Sequence, residues 1–61
     1  MEGTIKEKLI KEIAKIDERI AELEANRCAY RRYNSLENMR ICDIKTAQLA
    51  MVRDRLKEII Q

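Results

Sequence analysis

Tyr30-Arg31-Arg32-Tyr33-Asn34-Ser35-Leu36 is the stretch on which the fold turns. On its N-terminal side apolar residues fall at Leu9, Ile13, Ile16, Ile20 and Leu23, with Ile5 before them and Tyr30 after. Steps of four and three alternate, which is the heptad seam of an amphipathic helix. Carried through the stretch without interruption, the same steps land on Asn34, Glu37, Ile41, Ile44, Gln48, Met51, Arg55 and Glu58, many of them polar. The C-terminal side has a seam of its own, with Cys42, Leu49 and Leu56 in one set of heptad positions and Val52 and Ile59 in the other. The register therefore breaks between Tyr30 and Leu36, and the pattern predicts two helices rather than one rod.

Local signals place the ends. Thr4 followed by Glu7 is a capping box that starts a helix at Ile5, and Glu7–Lys11 adds an i,i+4 pair in the favourable order. Glu2–Lys6 adds another if the helix begins earlier. Asn34 with Glu37, or Ser35 through its hydroxyl, supplies the N-cap of the second helix. The single domain 1–61 thus reads as a helix over 4–32, a turn over 33–36 and a helix over 36–60. No Gly or Pro marks the turn.

Folding the chain about Leu36 sets the two seams against each other. Facing residues of an antiparallel pair have numbers with a constant sum, and 72 gives Ile13/Ile59, Ile16/Leu56, Ile20/Val52, Leu23/Leu49 and Tyr30/Cys42. These layers are apolar or nearly so, and an αα-hairpin follows. The remaining layer, Arg27/Lys45, sets like charges together and asks for an anion from Asp43, Glu24 or an acidic partner. In this register the first helix overhangs the second, which leaves Ile5, Leu9 and Ile10 without a partner in the chain.

A second set of apolar residues lies off the seam: Leu36, Met39, Ile44, Ala47, Ala50 and Met51 on helix two, and Ala14, Ala21, Ala25 and Cys28 on helix one. A two-helix unit cannot bury two apolar faces. The expectation is a homodimer of hairpins forming a four-helix bundle, with Ile5, Leu9, Ile10, Ile44 and Met51 as self-association residues.

Composition agrees with an all-α, coiled-coil-like fold and narrows the function. The chain has 61 residues, 46% hydrophobic and 39% charged, with one Gly and no His, Pro, Trp or Phe. That is too apolar for a disordered tail and too charged for a membrane span. The N-terminus lacks the charged and apolar regions of a signal peptide, and two cysteines are too few for a secreted disulfide framework. A cytoplasmic protein without membrane contact is expected.

Without His, acid/base catalysis would need a carboxyl on an inward face, and the seams contain none. No enzyme activity, small-molecule substrate, metal or cofactor is expected. Cys28 and Cys42 flank the turn; they read most plainly as small apolar residues, although similar heights would permit a bridge if the backbone geometry allowed it.

Charge is unevenly distributed. Between Arg27 and Arg40 lie four Arg and one acid, Glu37, a local charge of +3; the other nine basic and ten acidic residues make −1. Both tyrosines, Tyr30 and Tyr33, lie in the same stretch. Arg and Tyr are enriched at protein-interface hot spots, and they also suit phosphate forks and base stacking. The plainer account is a packed Tyr30 with arginines at a helix C-terminus, where cations are favoured.

The expected function is a small non-enzymatic protein-binding module, a regulator or inhibitor of the phage or plasmid type. Its partner-binding residues are Arg27, Tyr30, Arg31, Arg32, Tyr33, Arg40 and Lys45, and the partners are itself and an unidentified protein. The alternative is an RNA- or DNA-binding hairpin dimer using Arg27, Arg31, Arg32, Arg40 and Lys45; a structural assembly subunit is a third reading. The outline of two similar helices in about sixty residues resembles the small plasmid-encoded RNA-binding hairpins of the Rop type. That resemblance implies dimerisation into a four-helix bundle.

Overall fold

Thr4 holds an extended backbone at φ −69° and ψ 167°, and its Oγ1 accepts a hydrogen bond of 3.2 Å from the Glu7 amide. This cap satisfies one of the free amides of the first turn, and helix α1 runs from it over Ile5–Arg32. Helix α2 spans Leu36–Ile60. The computed structural model describes residues 4–60; the readings on residues 1–3, including the Glu2–Lys6 pair, and on Gln61 lie outside the described residues. The two helices pack against each other as an antiparallel hairpin with extents of 47 × 21 × 12 Å. The smallest extent is one helix diameter, so the molecule is a single layer.

The connection is closed by Asn34. Its φ of 56° is the one positive value on a non-glycine among the described residues. The Ser35 amide donates to the Tyr30 carbonyl at 2.9 Å and the Asn34 amide to the Arg31 carbonyl at 3.1 Å. These are the two bonds of a Schellman motif, with Asn in the left-handed position that Gly usually takes. Asn34 therefore ends α1 and does not cap α2. Ser35 stands at the start of α2, its carbonyl accepting from the Met39 amide at 3.0 Å. Its hydroxyl accepts from the Asn38 side-chain amide at 2.7 Å.

That turn sets the register between the helices. On α1 the residues withdrawn from solvent are Leu9, Ile13, Ile16, Ile20, Leu23, Arg27 and Tyr30, the seam read from the sequence. On α2 the shielded heptad series is Met39, Cys42, Thr46, Leu49, Arg53, Leu56 and Ile60. Set antiparallel, the two series match at a constant sum of 69, from Leu9/Ile60 through Ile20/Leu49 to Tyr30/Met39. The midpoint falls between Asn34 and Ser35, earlier than Leu36, so the register differs from the expected sum of 72. Val52 and Ile59, expected in the seam, are 49% and 67% exposed. The expected overhang shrinks correspondingly: Leu9 is half-buried at the height of Ile60, whereas Ile5 stays 78% exposed.

Two arginines occupy seam positions, and each is answered across the hairpin. Arg27 Nε donates to Asp43 at 2.7 Å, and Arg53 Nη1 donates to Asp17 at 3.1 Å. Asp43 follows Cys42, which faces Arg27, and Asp17 follows Ile16, which faces Arg53. Both guanidinium groups thus leave the seam on the same side and lay their stems along it. Hydrogen bonds to Asp17 and then Asp54 hold the Arg53 pKa above its ordinary value. Arg27 takes its anion from Asp43, one of the sources expected from the sequence, and in this register it faces Cys42 rather than Lys45.

The core is small. Ile13, Ile20, Leu23 and Cys42 are the buried apolar residues of the described chain. Cys42 fills the seam near the turn, while Cys28 is exposed, and both thiols are free.

Candidate interaction site

The hairpin has two unlike flanks, because residues just before and just after a seam position stand on opposite sides of an antiparallel pair. Asp17 and Asp43, with their arginines, lie on the flank after the seam. Ala14, Ala21 and Ala47 share it, so the alanines of the expected second face do not join Ile44 and Met51 in one surface.

The flank before the seam carries an open groove. One part, of about 370 Å³, is lined by Arg19, Leu23, Asn26, Tyr30, Asn38, Ile41, Cys42 and Lys45. An adjoining part of about 300 Å³ is lined by Arg19, Leu23, Lys45, Gln48, Leu49 and Val52. Arg19 is held by Glu22 at 2.9 Å. Among the described residues Lys45 has no ion-pair partner, which leaves its ammonium available at the groove's edge.

Beyond this groove one side of α2 carries exposed apolar residues among polar ones. Ile41, Ile44, Met51, Val52 and Ile59 are 42%, 52%, 59%, 49% and 67% exposed. They recur in rows seven apart, Ile44 with Met51 and Val52 with Ile59, so they share one side of the helix. Of the expected self-association residues, the structure brings Ile44 and Met51 together here. Ile5 and the 48% exposed Ile10 stand near the start of α1, five positions apart and so on different sides of it. Ile41, Val52 and Ile59 belong to the stripe without having been expected there. Their signal was that each precedes a shielded residue by one position, and it becomes visible only once the register is known.

The expected partner-binding residues separate into three groups. Arg31, Arg32, Tyr33 and Arg40 are exposed around the turn, Tyr33 by 82%. None of the three arginines has an ion-pair partner among the described residues. Tyr30 is half-buried in the seam and Lys45 edges the groove, while Arg27 is committed to Asp43. Among the described residues no group of three or more His, Cys, Asp or Glu could hold a metal ion, and no helix is long and apolar enough to cross a membrane.

Compared with known proteins, the chain matches no family model, no curated protein and no solved structure.

Proposed function

We propose that the protein is a non-enzymatic, protein-binding helical hairpin that associates with itself and acts by occupying a surface of a partner protein, as a regulator or inhibitor does. One observation carries this reading: in a molecule one helix thick, five large apolar side chains along one side of α2 stay between 42% and 67% exposed. A row of exposed apolar side chains of this kind, interspersed with polar ones, is what protein contacts cover. Self-association joins two hairpins into a four-helix assembly.

A second reading rests on the tip, where three arginines without ion-pair partners surround an exposed Tyr33. That set suits nucleic acid as well as an acidic protein surface. Salt separates the two. Protein capture through the stripe persists at raised ionic strength and is lost in Ile44→Glu or Met51→Glu. Nucleic-acid binding falls steeply with salt, and Arg31→Ala/Arg32→Ala flattens the slope. A tagged chain recovered from its host with nucleic acid alone, unaffected by Met51→Glu, overturns the first reading in favour of the second.

A further inference from the structure

The stripe on α2 has a property that no general partner requires: its residues are complementary to themselves when read backwards. In an antiparallel helix pair, residues at equal height share a constant sum, and for α2 against a second α2 the sum 103 selects four kinds of contact. Ile44 meets the partner's Ile59, Met51 the partner's Val52, Gln48 the partner's Arg55, and Lys45 the partner's Glu58. All are exposed in the single hairpin and lie along one side of α2, from Lys45 and Val52 at the edge of the groove round to Ile44, Met51 and Glu58 on the face away from α1. The alternatives are poorer. Parallel pairing sets Lys45, Arg55 and Glu58 each against its own copy. A slip of one heptad to a sum of 110 brings Arg55 against Arg55, and a slip to 96 leaves Lys45 beside Met51 and Glu37 beside Ile59. Like charges at an interface cost affinity and thereby select register.

We propose that a second copy of the chain covers this stripe, α2 packing antiparallel on α2 about a two-fold axis between Met51 and Val52. The inference rests on the reading of the stripe as a protein-contact face and names its occupant. The contact is isologous, so it closes at two chains. Each α1 lies outside the central α2 pair, and the two Arg/Tyr tips stand at opposite ends, roughly 45 Å apart at 1.5 Å per residue.

The test is a charge-reversal cycle read by sedimentation equilibrium, with circular dichroism to show that helix content is kept. Lys45 and Glu58 are exposed and form no ion pair among the described residues, so reversal leaves the hairpin intact. Lys45→Glu sets two acids together and Glu58→Lys two bases, and each weakens the dimer by about tenfold or more. The double reversal Lys45→Glu/Glu58→Lys restores wild-type association. A second readout comes from Val52→Cys in a Cys28→Ser background, which places two thiols beside the axis and gives a covalent dimer on oxidation. A dimer indifferent to both single reversals, or a double reversal that does not recover, overturns this pairing. A chain that stays monomeric yet captures a partner through Met51 overturns the second copy as occupant and leaves the stripe a protein-contact face.

Discussion

Asn34 determines the geometry of the hairpin with one backbone angle. A left-handed residue costs about 1–2 kcal/mol when it carries a side chain, least for Asn and nothing of the kind for Gly. Asn34→Gly is therefore expected to hold or slightly raise stability, whereas Asn34→Val lowers it by about 1–2 kcal/mol because a β-branched side chain resists positive φ. Urea denaturation followed by circular dichroism measures both. A Val variant as stable as wild type would show that the turn does not depend on this conformation. Asn34 was legible as a terminator only in part. Asn serves equally as an N-cap before a helix and as a left-handed residue after one, and nothing in Tyr33-Asn34-Ser35 alone separates the roles. The hydrogen bonds to the Tyr30 and Arg31 carbonyls do.

At the scale of the helices, α1 was readable because its cap and seam agree, from Thr4 through Tyr30. On α2 hydropathy favours Val52 and Ile59 over Thr46 and Arg53, so the pattern alone places the more apolar set in the seam. The register is instead set by a turn too short to let Val52 and Ile59 face α1. Arg53 can occupy its place because its stem packs while its head reaches Asp17, as Arg27 reaches Asp43. These arginines make the seam less apolar than it could be. An exposed ion pair is worth about 1 kcal/mol at most, while burying a Leu is worth about 1.5–3 kcal/mol. Arg53→Leu should therefore stabilise the hairpin by about 1 kcal/mol, read as a higher urea midpoint at unchanged slope. In the alternative register, with Val52 in the seam and Arg53 beside it, the same change has no such effect. The tip was legible as a charge cluster. The sequence offered Asp43 and Glu24 alike as the anion for Arg27; only the register, which sets Arg27 opposite Cys42 and beside Asp43, decides between them.

The whole molecule is a rod one helix thick, and that thickness makes assembly the natural expectation. Four buried side chains among the described residues are a small core, in a chain of a size where oligomerisation commonly supplies the missing stabilisation. The proposed pairing through α2 would cover Ile44, Met51, Val52 and Ile59, and would link folding to chain concentration. It leaves the basic tips free for a partner of opposite charge. The most direct measurement is the molar mass of the wild-type chain in solution across concentration, beside Met51→Glu. Twice the 7.2 kDa of one chain is expected, falling to a single chain when Glu replaces Met51 beside the two-fold axis. A mass of one chain at every concentration up to about 1 mM, corresponding to association weaker than about −4 kcal/mol, would contradict it.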